Sequence, residues 1–295
     1  MAAPVFLLAC AIALLASSSS VVSAEVVEHS FQTTDVLLTA NQPPASYYMA
    51  AHPCFSAPGV SFDNTTTTGI IVYDGATSSA PQMPVLPAFN DTPTAHKFYS
   101  SLTGHVNGPY WKPVPCKVDA YMFVTMGFGL TPCGRNATCG GPLGQRLAAS
   151  TNNFSFQFPT KLSMLQAIFD NVSGIYTVDF PSQPPLVFDY TNSSNNLNRS
   201  IIMTKKSTSV KKVKFNSTVE IVMQNTALVV VENHPIHLHG FSFYVLAQGF
   251  GNYDPLNDPK KFNLGTLRCA TPSPCPLEGG PLSDFKQTIQ VNIRS

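Results

Sequence analysis

Short stretches of apolar residues, separated by turn-forming residues, recur along the whole of this chain. Residues 219–225 alternate apolar and polar side chains with a period of two, the spacing of a half-buried β-strand. Residues 227–231 and 241–246 are continuous apolar runs rich in β-branched and aromatic side chains, which is typical of strands in a buried sheet. The same reasoning predicts further strands at 25–31, 47–51, 68–73 and 118–127. The pattern therefore predicts an all-β protein.

One segment departs from this strand pattern. After Pro159 and Thr160, apolar residues fall at helical spacing, namely at Leu162, Leu165, Ile168 and Phe169. This predicts one short helix, and we expect the fold as a whole to contain one or two. Residues 75–93 are rich in Ser, Pro and Ala, and they predict a loop or linker.

Length and composition narrow the class of protein. The chain has 295 residues, which is enough for two domains with separate cores. Its 25 prolines suit a β-rich protein with many turns. Only 11% of the residues are charged and the net charge is +1, so the sequence indicates neither a nucleic-acid partner nor a basic membrane-binding surface.

The first residues, Met1–Ala24, have the pattern of a secretory signal peptide. An apolar core at 5–16 is followed by the small residues Val22, Ser23 and Ala24, which suit cleavage, although the segment before the core has no Lys or Arg. The alternative is a membrane anchor, but the apolar run is too short to span a bilayer, and no later stretch is long and apolar enough. We therefore expect a secreted, extracellular protein with no membrane partner.

In a secreted protein, Asn-x-Ser/Thr sequons are acceptor sites for N-linked glycosylation. Eight of them in a secreted chain predict N-linked glycans at some of the sites. The sequons begin at Asn64, Asn90, Asn136, Asn153, Asn171, Asn192, Asn198 and Asn216.

The cysteines are interpreted in the same way, because an oxidising compartment favours disulfides. Six remain once Cys10 is removed with the signal peptide. Cys133 and Cys139 are the pair we expect to be joined, because the five-residue loop between them can turn back. A metal site built from these two is the alternative, and it lacks a nearby histidine.

The strongest chemical signal lies at 232–240, where three of the seven histidines fall within six residues. In extended chain His237 and His239 would point to one face, with Leu238 on the other. His234 precedes a proline, which favours extended backbone there. Imidazole is a good ligand for copper, zinc, iron and nickel, so this spacing favours a metal site over ordinary surface or buried histidines.

A zinc hydrolase is the alternative function that the three histidines at 234, 237 and 239 suggest. A zinc hydrolase would need a carboxylate or a further histidine near the triplet, and strand alternation does not clearly aim Glu232 at the same site. His96 and His105 have no partners at ligand spacing, and we expect both to be structural or surface residues.

The run His-Pro-Ile-His-Leu-His-Gly-Phe-Ser-Phe-Tyr-Val-Leu-Ala-Gln-Gly-Phe-Gly-Asn-Tyr-Asp at 234–254 resembles the third copper motif of plant laccases, which are multicopper oxidases of the cell wall. The resemblance extends from about Thr33 to about Asn263. It implies that copper is the cofactor, with His234 binding a type 1 copper, His237 a type 2 copper and His239 a type 3 copper.

The resemblance also implies a fold of cupredoxin-like Greek-key β-sandwich domains. Residues 25–31 resemble the first strand of a laccase's first domain, and 33–44 resemble a strand well inside the second. The implied organisation is a signal peptide at 1–24, a remnant of the first strand with a partial second domain at 25–112, an incomplete third domain with the copper motif at 113–264, and a divergent tail at 265–295.

Two functional hypotheses follow from the resemblance. The first is a laccase-type oxidase of the apoplast, which oxidises phenols such as lignin precursors while reducing dioxygen to water, in lignin degradation or the detoxification of phenolics. The second is a catalytically inactive truncated secreted glycoprotein that retains one copper-ligand motif.

The second hypothesis rests on copper-ligand residues of the family that have no counterpart in this sequence. The family's fourth motif is His-Cys-His, whereas no histidine follows His239 and neither Cys269 nor Cys275 has an adjacent imidazole. A blue copper site needs a Cys thiolate with two histidines. We therefore expect this chain to be inactive alone, and no catalytic residue is assigned.

Overall fold

A computed structural model describes residues 38–54, 61–77, 80–101, 114–115, 117–226, 228–229, 236, 238, 243–258 and 286–292. The predicted signal peptide and the predicted strand at 25–31 lie outside these residues. The chain divides into two compact units, the first containing residues 38–101 and the second containing 114–226 and 243–292. The domain assignments 25–112 and 113–264 stay predictions.

The first unit contains a two-stranded sheet and a helix. Strands β1 (Ser46–Ala51) and β2 (Thr67–Val72) pair antiparallel, with Ser46 opposite Val72. Helix α1 covers Thr92–Ser101. The Asp91 carboxylate starts this helix, because it accepts hydrogen bonds from the Thr94 N–H at 3.1 Å and the Thr94 hydroxyl at 2.7 Å.

The second unit is built on one seven-stranded sheet. Its strands are β3 (Ala120–Thr131), β4 (Arg146–Thr151), β5 (Phe154–Phe156), β6 (Lys205–Ser207), β7 (Thr218–Asn225), β8 (Phe243–Gly249) and β9 (Lys286–Asn292). They are ordered β6-β5-β4-β3-β7-β9-β8. The β3–β7 and β5–β6 pairs are parallel and the other pairs are antiparallel.

Short helical elements connect these strands. They are α2 (Met164–Phe169), α3 (Arg199–Ile202) and two 3₁₀ turns at Pro142–Gly144 and Ser193–Asn195. The core of the unit lies against β3 and β7. One cluster contains Phe123, Tyr190 and Val222, and another contains Leu130, Ile202 and Leu228.

The predicted all-β class is confirmed, since strands dominate the described chain. The strands expected at 47–51, 68–73, 118–127, 219–225 and 241–246 appear as β1, β2, β3, β7 and β8 with shifted ends. The short helix expected after Pro159 is α2. The disulfide Cys133–Cys139 is present, with 6.1 Å between the two Cα atoms.

Two predictions were wrong. The strand expected at 227–231 is absent at Leu228 and Val229, which form a bend instead, because Leu228 leaves the sheet and packs against Leu130 and Ile202. The described chain also contains three α-helices rather than one or two. Helix α1 was not predicted because its fully buried residues, among those whose burial is described, are the small Thr92 and Ala95, which give no apolar period.

Within the described ranges, no helix combines the length and the apolar character that crossing a membrane requires.

Candidate metal centre

The three predicted ligands, His234, His237 and His239, lie outside the residues that the structure describes. Their role as ligands stays a prediction. The structure does describe the strands on either side, β7 before the stretch and β8 after it, together with several residues of the connection between them.

The connection at 226–242 is a crossover that returns along the sheet. Strand β9 lies between β7 and β8 and pairs antiparallel with both, so β7 and β8 run in the same direction. Val291 lies opposite Val219 on one side and Phe243 on the other. The chain therefore leaves β7 at one end of the sheet and enters β8 near the opposite end, a distance of roughly 20–25 Å at the usual rise per strand residue.

The start of this crossover is fixed to the core. The Thr226 N–H donates a hydrogen bond to the Met126 carbonyl at 2.9 Å, which extends the β3–β7 pairing by one step. Leu228 is only 6% exposed, and its carbonyl accepts a hydrogen bond from the Leu197 N–H at 3.4 Å. The chain thus enters the histidine stretch from an ordered, packed position.

A buried glutamine ties the end of β7 to the segment that follows β8. The Gln224 side chain is fully buried, and its Nε2 donates to the Gly251 carbonyl at 3.3 Å. Its Oε1 accepts a hydrogen bond from the Tyr253 N–H at 2.8 Å. One side chain therefore joins β7, which precedes the histidine stretch, to the segment that follows β8.

The neighbouring asparagine makes a second connection of the same kind. The Asn252 side chain accepts a hydrogen bond from the Tyr190 N–H at 2.9 Å and donates to Asp189 Oδ1 at 2.7 Å. Residues 251–253 belong to the motif that resembles the laccases, yet the sequence assigned them no role. In the structure they join the segment after β8 to Gln224 of β7 and to Asp189 and Tyr190.

Three ionisable side chains near Gln224 and Asn252, namely Tyr190, Tyr253 and Asp189, each keep one charge state near neutral pH. Burial raises the pKa of Tyr190 to about 12. Burial also raises the pKa of Tyr253, and its hydrogen bond to Tyr121 adds to that rise. Hydrogen bonds from the Thr191 hydroxyl and from Asn252 lower the pKa of the Asp189 carboxyl, which remains ionised.

Among the described residues, no group of three His, Cys, Asp or Glu side chains is arranged to hold a metal ion. His96 is half-buried on α1, and His29 and His105 lie outside the described residues. The three imidazoles of the 234–239 stretch fit copper by donor chemistry, since copper accepts neutral imidazole readily.

His52 is a buried histidine that no sequence pattern indicated, and it is only 4% exposed. Its Nδ1 lies 2.9 Å from the Pro53 carbonyl and its ring meets Phe89 edge to face, with 4.5 Å between the ring centres. Its Nε2 has no hydrogen-bond partner within the described structure. A single histidine before a proline has no motif around it, so no pattern in the sequence could have shown that it is buried.

A small cavity lies beside the start of the crossover. It has a volume of about 40 Å³, and its lining includes Thr125, Ser150, Thr226 and Leu228. That volume holds a few water molecules. It is much smaller than the cavity of roughly 150 Å³ that holds a benzene ring.

Comparison with known proteins gives matches over much of the chain. Two family models, both described as multicopper oxidase, match residues 28–76 and 179–292, and the second match includes the histidine stretch. The chain is similar to Laccase-9 and Laccase-7 of Arabidopsis thaliana, at 55% identity over 239 residues in each case. It is also similar to Laccase-3 of Oryza sativa subsp. japonica, at 48% identity over 238 residues. These alignments cover 79% of this chain but only 41% of each relative, so the chain spans less than half the length of the relatives that it matches.

Proposed function

The chain belongs to the multicopper oxidase family, with cupredoxin-like all-β domains and a plant laccase-like sequence, and from this we propose that it contributes to a laccase-type oxidase. The reaction is the oxidation of phenols, such as lignin precursors, with reduction of dioxygen to water. The observation that carries the proposal is the His234-x-x-His237-x-His239 stretch, which lies in the sequence between the segments that form β7 and β8.

In this proposal the three histidines hold copper. His234 would bind the type 1 copper, His237 the type 2 copper and His239 a type 3 copper. Copper supplies one-electron chemistry, which allows electrons from phenols to reach dioxygen. The protein's part is to present neutral imidazoles from a connection whose two flanking elements are fixed by Gln224 and Asn252.

A second candidate function is favoured by the donor set of this sequence. A blue copper site takes one Cys thiolate and two histidines, and these 295 residues offer one matching histidine and no Cys beside a histidine. We propose that a polypeptide of these residues alone binds little copper and oxidises no phenol. It would then be an inactive secreted glycoprotein, and the oxidase activity would require ligands from elsewhere.

Copper content and oxygen uptake separate the two candidates. The secreted chain is purified, its copper is measured by mass spectrometry, and oxygen consumption with a simple phenol is recorded. A blue absorption band with oxygen uptake supports the oxidase, whereas a colourless protein without uptake supports the second candidate.

Substitution then tests the ligands themselves. Replacing His234, His237 and His239 together by Ala should remove the copper that the chain binds, because the imidazole donors are gone. His105→Ala is the matched control, since this histidine belongs to no copper motif, and its copper content should equal that of the unchanged chain. Equal copper in the triple variant and the control would contradict the assignment of the ligands.

We also propose that the chain is secreted to the apoplast and glycosylated. The proposal is supported by the signal-like residues 1–24 and by the positions of the sequons. The asparagines of seven sequons are exposed, at positions 64, 90, 136, 171, 192, 198 and 216, while Asn153 is half-buried. Mass spectrometry of the secreted product should find a mature N-terminus after Ala24 and glycans at exposed sites.

A further inference from the structure

Helix α2 presents its apolar side chains to solvent. Leu165 is 77% exposed, Ile168 is 53% exposed and Phe169 is 88% exposed, whereas the side that packs against the protein is represented by Ala167, at 1%. In most amphipathic helices the larger apolar residues are the buried ones. Here the small residue is inside and the large ones are outside.

These exposed residues form one continuous face. Leu165, Ile168 and Phe169 are spaced i, i+3 and i+4, which places them on the same side of the helix. Val172, which follows the helix after Asp170 and Asn171, is also exposed, at 41%. Soluble monomers rarely expose contiguous apolar patches of more than a few hundred Å², and larger ones are usually covered by something.

A glycosylation sequon lies at the end of this same face. Asp170 is the C-terminal cap of the helix, and Asn171 follows it in left-handed backbone, with φ of 53°. The Val172 N–H donates to the Ala167 carbonyl at 2.8 Å, which closes the helix in the manner of a Schellman motif. The sequon is Asn171-Val172-Ser173, so its acceptor lies two residues after Phe169 of the apolar face.

The Asn171 side chain is available for modification. It is exposed, and its amide makes no hydrogen bond to any residue that the structure describes. The hydrogen bonds that hold the turn are made by backbone groups, so a substituent on the amide nitrogen disturbs none of them.

We propose that an N-linked glycan on Asn171 covers the apolar face formed by Leu165, Ile168 and Phe169. The proposal rests on the proposed secretion. In the transfer step the Asn171 amide nitrogen bonds to C1 of an oligosaccharide carried on a lipid diphosphate. The bond from C1 to the diphosphate breaks, and the nitrogen loses one proton.

The chemistry of the sugar suits this surface. One face of a hexosamine ring presents C–H groups that pack on apolar and aromatic side chains such as Phe169, while its hydroxyls remain in water. A glycan also covers surface with a large hydrated volume. The glycan would therefore shield the apolar face of α2 from other molecules, although the face is not buried in the protein.

The test uses two variants that remove this sequon and one matched control. Asn171→Gln and Ser173→Ala each abolish the acceptor without touching the apolar face. Asn136→Gln is the control, because Asn136 is also an exposed sequon residue in left-handed backbone, with φ of 57°, and its neighbours Arg135 and Ala137 are not large apolar residues.

Two readouts are made on the secreted full chain. Glycopeptide mass spectrometry should find a glycan at Asn171 in the unchanged protein. Fluorescence of a dye that binds exposed apolar surface should rise about twofold or more in both sequon variants and not in the control. Adding Phe169→Ser and Leu165→Ser to the Asn171→Gln variant should return the fluorescence to that of the unchanged protein.

The outcomes separate this inference from the proposed secretion. If other sequons carry glycans and Asn171 does not, the inference is overturned while secretion stands. If Asn171 is occupied but its loss leaves dye binding unchanged, the covering role is overturned. If no sequon is occupied and residues 1–24 are retained, secretion and the inference fail together.

Discussion

At the scale of single residues, the most constrained position is Asn152 in the turn between β4 and β5. It is fully buried with φ of 47°, in left-handed backbone. Its Oδ1 accepts a hydrogen bond from the Thr125 N–H at 2.8 Å, and its Nδ2 donates to the Pro181 carbonyl at 3.2 Å. One side chain therefore satisfies backbone groups of β3 and of a distant loop.

Substituting Asn152 by Ala should lower the free energy of unfolding by about 2–4 kcal/mol, because buried partners are left unpaired and Ala is strained in this backbone region. Urea denaturation followed by circular dichroism measures the loss. Asn152→Gly is the matched control, since it removes the same hydrogen bonds without the strain, and it should lose roughly 1 kcal/mol less. Equal losses in the two variants would show that strain contributes nothing.

At the scale of secondary-structure elements, Asp119 determines how β3 and β7 begin to pair. Its Oδ2 accepts a hydrogen bond from the Thr218 N–H at 2.9 Å, and its own N–H donates to the Thr218 carbonyl at 2.9 Å. The hydrogen bond from Thr218 lowers the pKa of the Asp119 carboxyl below its ordinary value of 3.8, with a smaller contribution from Lys117. The Lys117–Asp119 ion pair is exposed, so it adds little stability by itself.

A lowered pKa in the folded state means that this carboxylate stabilises the protein above its unfolded pKa. The contribution is lost as pH falls from about 4 through the folded pKa. We expect Asp119→Asn to lower the melting temperature at pH 7 and to have little effect near pH 2. A melting series of both proteins across this range provides the measurement, and a pH-independent difference between them would exclude the titration of Asp119 as its cause.

The sequence pattern of helix α2 predicts its secondary structure but not which of its faces is buried. The spacing of Leu165, Ile168 and Phe169 correctly predicted a helix. It could not tell which face is buried, because burial depends on what the rest of the chain places beside the helix. Here Ala167 is the fully buried residue of the helix and Met164 is half-buried.

At the scale of the whole molecule, copper binding and folding should be linked. A ligand that binds only the folded chain stabilises it by about 2.7 kcal/mol at roughly 100 times its dissociation constant. Adding copper should therefore raise the melting temperature of the unchanged chain, whereas the variant lacking His234, His237 and His239 should show no rise. Scanning calorimetry with copper and again after a chelator provides the comparison, and magnesium, which prefers oxygen ligands to imidazole, serves as the control for nonspecific metal effects.

An equal rise in the triple variant would mean that copper binds elsewhere, for example near His52 or His96. Because this readout does not depend on catalysis, it applies equally if the 295-residue polypeptide is inactive. It thus tests the ligands apart from the proposed reaction.

Local sequence patterns were sufficient for the features that depend on near neighbours in the chain. Periodicity located β7, β8 and α2, the short loop between Cys133 and Cys139 predicted their disulfide, and the spacing of the histidines identified the candidate ligands. Each of these signals is contained within about twenty residues, so no distant partner is needed to detect it.

The contacts between distant segments became visible in the three-dimensional fold. The position of β9 between β7 and β8 makes the histidine stretch a crossover, Leu228 leaves its expected strand for a core shared with Ile202, and Gln224 reaches Tyr253. These contacts join residues about 25 to 70 positions apart, and they form because sheet pairing and burial satisfy many backbone and apolar groups together. No local pattern carries that information.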